Sequence, residues 1–236
     1  MDKPILIITG GSRGIGLATI ERFLEQGSQV INLSRRPCEI MGVTNLNVDL
    51  AKLAVNQDEI QHELAAELGE PMVISLVHNA GHFVHDTVYT QSLADARAVL
   101  EVNLIAPIIL NQLLIPFMAP GSSIIYIGST LAEKAVPNCA SYIVSKHAIA
   151  GLMKATCQDL AGKGIHTCCV CPGITETEML QARCEQQPGL LDTLSQLSTY
   201  GRLIQPHEMA ELIEFCSLHP IINGAMIHGN LGQIER

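Results

Sequence analysis

Thr9-Gly10-Gly11-Ser12-Arg13-Gly14-Ile15-Gly16 is the stretch that decides the architecture. It follows a short apolar run, Ile5–Ile8, and leads at once into an amphipathic stretch near 15–26. A strand that turns through a glycine-rich loop straight into a helix is the first half of a βαβ unit. Glycines are needed because a side chain would block the turn or keep a pyrophosphate from the helix N-terminus. There, unpaired N–H groups and the positive end of the helix dipole favour an anion. Gly10, Ser12, Arg13, Gly14, Ile15 and Gly16 are therefore candidate contacts for a dinucleotide.

Working outward, strand-like apolar runs lie near 5–9, 29–34, 44–48, 72–78, 123–128, 165–171 and 225–228. Helix-like stretches near 15–26, 52–68, 92–118, 140–161 and 206–218 separate them. Short runs that are apolar on both faces suit a parallel sheet buried under helices. Their alternation with helices predicts α/β architecture: a doubly wound parallel sheet of about seven strands, flanked by helices on both faces. No repeat or low-complexity linker divides residues 1–236, so one domain is expected. The least regular section, 175–202, leaves the edge where ligands of such sheets bind, and is expected to be a lid over substrate.

Composition narrows the partners. A formal charge of −9 argues against nucleic acid and anionic membranes, which need a basic surface. The apolar region from Leu104 to Pro120 is interrupted by Pro107, Asn111, Gln112 and Pro116, which speaks against a membrane span. No export signal is expected at the N-terminus, so the eight cysteines read as reduced thiols in a cytoplasmic protein. Cys168 and Cys171 form a C-x-x-C inside a strand-like run, with no second ligand pair at zinc spacing. They are expected to be small buried hydrophobes. Aromatic residues are only 3% of the chain, so any pocket should be mainly aliphatic.

The second strand-like run ends in Ser34-Arg35-Arg36. An NAD site carries an acid at this distance from the glycines, to bind the ribose hydroxyls, whereas an NADP site accommodates a 2′-phosphate. Here the acid is missing and two guanidinium groups are present, with Arg13 in the glycine loop beside them. Guanidinium groups give a phosphate charge-assisted hydrogen bonds. Ser34, Arg35 and Arg36 thus favour NADP(H) over NAD(H).

Tyr142 and Lys146 are four residues apart in a helix-like stretch, which puts both on one face, one turn apart. An ammonium beside a phenol favours the ionised phenol and makes it a useful proton donor or acceptor. With this pair the chain resembles the short-chain dehydrogenase/reductase family, in its single-domain branch with a Rossmann-like fold. The resemblance spans nearly the whole sequence. It rests on the glycine loop, Asn79-Ala80-Gly81, Asn103, Ser129, Tyr142-x-x-x-Lys146, and Pro172-Gly173, in that order. Gly201-Arg202-Leu203 through Pro206 and Glu208 also looks like the family's approach to its last helix.

The resemblance implies hydride transfer between a nicotinamide and a small carbonyl or alcohol substrate, without a metal. Tyr142 would be the general acid/base, and Ser129 would hydrogen-bond the substrate oxygen. Lys146 would hold the nicotinamide ribose, and Asn103 a water linking Lys146 to solvent. Asp49 and Leu50 would meet the adenine, Asn79, Ala80 and Gly81 the cofactor, Pro172, Gly173 and Thr175 the carboxamide, and Thr177 the phosphates. Pairing through the helices near 92–118 and 140–161 implies a homotetramer or homodimer. Three features depart from the common pattern: His78 stands where Asn is frequent, the end of the chain lacks the usual Asp-Gly-Gly, and the chain is short. His78, His82 and His85 cluster near one strand end but complete no metal motif, and pocket lining or surface placement is expected. Glu176 and Glu178 could select a substrate or simply be solvated, and Met179 and Leu180 could touch substrate or pack the lid. The same fold could instead serve a dinucleotide-binding sensor without turnover, or a reductase of an imine or activated C=C.

Overall fold

The computed structural model describes residues 4–178, 180–181 and 189–234. Seven strands form its centre: β1 (Ile5–Thr9), β2 (Val30–Ser34), β3 (Val43–Asn47), β4 (Ile74–His78), β5 (Ser123–Ile127), β6 (His166–Pro172) and β7 (Ala225–Gly229). All neighbours pair in parallel, in the order β3-β2-β1-β4-β5-β6-β7. The order reverses between β1 and β4, and that switch opens the crevice in which doubly wound sheets bind ligands. Every residue of β4, β5 and β6 is buried, while the edge strand β3 buries only Leu46. Central parallel strands lie under helices on both sides, which is why their sequences read as continuous apolar runs.

The helices are α1 (Gly14–Glu25), α2 (Leu53–Leu68), α3 (Leu93–Leu100), α4 (Ala106–Leu114), α5 (Ala140–Asp159), α6 (Leu190–Ser195) and α7 (Pro206–Leu218). On one face of the sheet, Ile60 and Leu64 of α2, Leu110 and Leu114 of α4 and Met153 of α5 pack on Ile7, Leu76 and Ile124. On the other, Ile20 and Phe23 of α1 and Met209 and Ile213 of α7 pack on Leu6, Ile8, Val77 and Ile125. Adjacent residues of one strand thus enter opposite cores, as the period of two requires. Each aliphatic side chain so buried contributes about 1.5–3 kcal/mol.

The stretch near 92–118, expected as one helix, is interrupted. Residues Glu101–Ile105 form a π-helical turn in which the Ala106 N–H reaches the Glu101 carbonyl, five residues back. Pro107 is one cause: it has no N–H to close an α-helical bond to the carbonyl of Asn103. Asn103 is thereby carried at the middle of the widened turn, a feature common at functional positions. The whole run Leu93–Phe117 is long and apolar enough to cross a bilayer, the single such helix among the described residues, yet half of that window is buried within the fold.

β6 buries Cys168, Cys169 and Cys171, as expected of small hydrophobes in a strand. Cys168 and Cys171 point to opposite faces. Cys169 and Cys171 share a face with their sulfurs 3.8 Å apart, while Cys168 meets Cys216 of α7 across the other. The hydrogen bond to Cys171, together with burial, pushes the Cys169 thiol well above its ordinary range. Among the described residues no cysteine forms a disulfide.

Candidate active site

The glycine loop joins β1 to α1. Gly10 and Gly14 have φ of +69° and +56°, backbone that side chains disfavour. A Cβ on Gly16 would stand 2.4 Å from the Gly10 carbonyl oxygen and 2.5 Å from the Asn79 amide nitrogen. Arg13 precedes α1 without a side-chain cap, so no side chain at the cap position takes up the opening N–H groups. That is a cradle for an anion, and its geometry fits a dinucleotide pyrophosphate. Thr177 completes one wall: its methyl would lie 3.2 Å from a Cβ on Gly14.

β4 is tied to this loop from below. The Thr9 hydroxyl accepts the N–H groups of Asn79 and Ala80, both at 3.0 Å. The Asn79 side chain donates to the carbonyls of Thr9 and Gly10 at 3.0 and 3.1 Å. Asn79 therefore spends its amide on shaping the loop, and Gly81 faces open space, with nothing within 4 Å of a would-be Cβ. At the end of β2, Ser34 hydrogen-bonds the Arg36 carbonyl. Arg13, Arg35 and Arg36 are exposed, and none has an ion-pair partner among the described residues. After β3, Asp49 caps the turn by accepting the Ala51 N–H at 3.2 Å. Leu50 is buried in the core, so only its main chain could meet a ligand.

The chemistry-bearing side chains gather at the ends of β5 and β6. Ser129 leaves β5 with its hydroxyl accepting the Leu131 N–H at 3.1 Å, which orients the oxygen and leaves its own proton to donate. Lys146, on α5, is 4% exposed. Its ammonium donates to the Ile127 carbonyl at 2.7 Å and stands 5.4 Å from the centre of the Tyr142 ring. A buried ammonium needs partners, and this one has a carbonyl and an aromatic face, with donors to spare. Phe83 meets the Tyr142 ring edge-on, 5.1 Å between centres.

Asn103 connects the loop after β4 to α5. Its oxygen accepts the His82 N–H at 2.7 Å, and its nitrogen donates to the His82 carbonyl at 3.0 Å and to the Ser145 hydroxyl at 2.9 Å. The Ser145 hydroxyl in turn donates to the Tyr142 carbonyl at 2.7 Å. The side chain is used up on protein, so a water at Asn103 would have to sit on its main chain. His78 points away from the site: its Nε2 is 2.8 Å from Asn111 in the core, whereas His85 lies at the surface beside the Asn138 carbonyl. The three histidines do not converge.

Past Pro172 and Gly173, Thr175 is buried and bridges Ile204, and its hydroxyl donates to the Gly173 carbonyl at 3.2 Å. The Glu176 N–H donates to the Ile204 carbonyl at 2.8 Å, and Gln205 donates to the Glu176 carboxylate at 2.8 Å. These bonds close the neck of the expected lid and account for Glu176. The far end, Leu197–Thr199, is strapped to residues 231–234. Met179 and residues 182–188 lie outside the described residues. Sequence reasoning missed Asn32, Asp86 and Ser145. An amide inside the apolar run Val30-Ile31-Asn32-Leu33 was a visible signal; nothing local links Asp86 to Ser141 or Ser145 to Asn103.

Comparison with known proteins agrees with this arrangement. Residues 4–188 match the model of the short chain dehydrogenase family. The chain is 31% identical over 227 residues to an A-factor type gamma-butyrolactone 1′-reductase (1S-forming) of Streptomyces virginiae, covering 89% of this chain and 87% of that protein. The ligand-free aldohexose dehydrogenase of Thermoplasma acidophilum superposes with a TM-score of 0.89 at 27% identity, over 98% of this chain and 94% of the other. A mutant 4-hydroxyisoleucine dehydrogenase complexed with NADH and succinate superposes with a TM-score of 0.86 at 25% identity, over 97% and 98%. The chain belongs to the short-chain dehydrogenase family of oxidoreductases, which bind a nicotinamide dinucleotide and act on small molecules.

Proposed function

We propose that this protein is an NADP(H)-dependent reductase of a small carbonyl compound, or catalyses the reverse oxidation of an alcohol, with Tyr142 as general acid/base. The observation that carries the reading is the buried Lys146 ammonium against the Tyr142 ring, held by the carbonyl at the end of β5, two residues before Ser129. Gly10, Ser12, Arg13, Gly14, Ile15 and Gly16 would hold the pyrophosphate together with Thr177, and Pro172, Gly173 and Thr175 the nicotinamide side. When bound, the nicotinamide supplies or takes the hydride. Ser129 donates its hydroxyl proton to the substrate oxygen and steadies its developing charge. Tyr142 gives that oxygen its phenolic proton in reduction and removes it in oxidation. Lys146 favours the ionised phenol electrostatically and keeps spare donors for a ribose hydroxyl. The Asn103 main chain would relay protons through a water.

NADP(H) is favoured by Arg13, Arg35 and Arg36, three exposed cations without carboxylate partners among the described residues of an acidic protein. Reduction is supported by the likeness to the gamma-butyrolactone reductase. Leu93 of α3 and Val144 of α5, 66% and 56% exposed, give those helices apolar surface for pairing into a homodimer or homotetramer. Calorimetric titration with NADPH and NADH, on wild type and Arg35→Ala, tests the cofactor. An NADPH preference that the variant loses supports the reading, and equal or NADH-favoured binding by wild type overturns it. A Tyr142→Phe variant that binds NADPH but turns over no carbonyl tests the acid/base role. Retained turnover would sink it.

A further inference from the structure

Asn32 stands at the middle of β2 and is fully buried. Every hydrogen-bonding capacity of its amide hydrogens is used, and each bond goes to a segment that borders the cofactor edge. Its oxygen accepts the Gly11 N–H at 2.9 Å. Its nitrogen donates to the Ser34 hydroxyl at 3.0 Å and to Asn45 Oδ1 at 2.9 Å. Asn45, its register partner on β3, holds the next corner: Oδ1 accepts the Cys38 N–H at 2.8 Å, and Nδ2 donates to the Cys38 carbonyl at 3.0 Å. Ser34 holds the carbonyl of Arg36. The loop from Ser34 to Cys38, which carries Arg35 and Arg36, is thus pinned at its middle and at its end by side chains that both lead back to Asn32.

The contact with the glycine loop is as close. A Cβ on Gly11 would stand 2.7 Å from Asn32 Oδ1 and 2.3 Å from Ile20 Cδ1. Gly11 has no positive φ and is a glycine for this approach rather than for its backbone angle. One buried amide therefore bridges the loop at the helix N-terminus and the loop that bears the two arginines. A buried amide whose hydrogens and oxygen are all bonded fixes geometry firmly, and the two loops it joins are those that meet the pyrophosphate and the adenosine ribose of a dinucleotide in a doubly wound sheet.

We infer that Asn32 is a specificity-determining positioning residue: through Ser34 and Asn45 it sets Arg35 and Arg36 at the separation from the glycine loop that a 2′-phosphate requires. The inference rests on the NADP(H) reading above and assigns its discrimination to a residue that touches no cofactor. Removing the amide frees the arginine loop, which weakens NADPH more than NADH because NADH makes no use of the arginines.

The test is the ratio of NADH to NADPH dissociation constants, by calorimetry, for wild type, Asn32→Val and Asn45→Ala, each with its thermal unfolding recorded. The expected result is a preference for NADPH in wild type that falls about tenfold or more in Asn32→Val and several-fold in Asn45→Ala, with NADH affinity little changed. Equal weakening of both cofactors would mark a merely structural residue and overturn the inference, as would an unchanged ratio in a folded variant. Should Asn32→Val fail to fold, Asn45→Ala alone decides. A wild type without NADPH preference overturns the cofactor reading and the inference with it; a wild-type preference retained by the variants overturns the inference alone.

Discussion

The carboxylate of Asp86 closes the first turn of the helix that carries Tyr142 and Lys146. It accepts the Ser141 N–H at 3.1 Å and also takes the Ser141 hydroxyl, whose oxygen accepts Gln91 Nε2 at 2.6 Å. Cys139, at the position where a capping side chain would stand, makes no such bond, and the first turn of α5 has no acid of its own. A residue 55 positions earlier therefore does the work of an N-cap, and Asp86 is buried, at 4% exposure. Asp86→Ala should lower unfolding stability by about 2 kcal/mol, within the range for caps and for hydrogen bonds to a charged group. Because the freed turn is the one bearing Tyr142, kcat should fall while cofactor affinity holds. Asp86→Asn keeps an acceptor for the N–H and should lie between. Chemical denaturation and steady-state kinetics on the three proteins check this, and an unchanged Asp86→Ala would refute it.

The glycines of the cofactor edge should separate by what surrounds them. Gly16 is walled by the Gly10 carbonyl and the Asn79 amide, neither of which can withdraw without opening the loop. Gly16→Ala should cost about 1–3 kcal/mol of stability, the range for overpacking, and abolish dinucleotide binding. Gly81 has space around it and no positive φ. Gly81→Ala should unfold within about 0.5 kcal/mol of wild type and lose affinity for the dinucleotide alone. Melting curves paired with cofactor titrations distinguish the two; a Gly81→Ala protein that binds normally would remove Gly81 from the binding surface.

What was legible in the sequence follows from locality. The strands were read from short runs apolar on both faces, the helices from the amphipathic stretches between them, and the glycine loop from its own composition, because those signals sit within one element. The candidate cofactor and catalytic positions came from the motifs that carry the family resemblance, each of them local in sequence. Three things were not legible. The π-helical turn depends on a proline four residues past Asn103, which reads as ordinary helix punctuation. The pairing of Cys169 with Cys171 and of Cys168 with Cys216 depends on which face of β6 each meets. The cap of α5 by Asp86 joins two loops that only the fold brings together. Long-range contacts leave no periodic trace.

His78 makes the protein sensitive to mild acid. Burial pushes its pKa down to about 4, against the opposing hydrogen bond that Nε2 donates to Asn111 Oδ1. Its Nδ1 is buried without a partner, so the ring is held neutral. The folded pKa lies below the unfolded value of about 6.5. The unfolded chain therefore takes up a proton first, and stability falls as pH drops from about 6.5 toward 4. A difference of this size corresponds to about 3 kcal/mol. Denaturation midpoints at pH 7.5, 6, 5 and 4.5 should decline for wild type and decline less for His78→Asn, which has no proton to take up over that window. Parallel profiles would show that other groups dominate the acid limb.

The last structural lock stands where the chain enters α7. Arg202 grips Glu208 through two bonds of 2.7 Å, and Glu208 also accepts the Gln205 N–H at 2.8 Å in a capping box that starts α7. The hydrogen bond from Arg202 comes first among the causes that hold the Glu208 carboxyl low, at about 2, followed by the Gln205 N–H. A carboxyl lowered on folding stabilises the protein above its unfolded pKa of about 4.3, and that stability is lost as pH falls from there toward 2. Arg202 is nearly half exposed, so solvent screening limits the pair to the order of 1 kcal/mol. Glu208→Gln removes the charge and leaves Gln205 free to release Glu176, which its side chain holds beside the Thr175–Ile204 bridge. Its expected signature is therefore double: a stability loss at pH 7 that vanishes by about pH 2–3, and faster proteolysis within 175–202 at pH 7. The Arg202→Leu variant should show both through the same carboxylate. Protease resistance equal to wild type in both variants would mean that the Thr175–Ile204 bridge alone holds the neck.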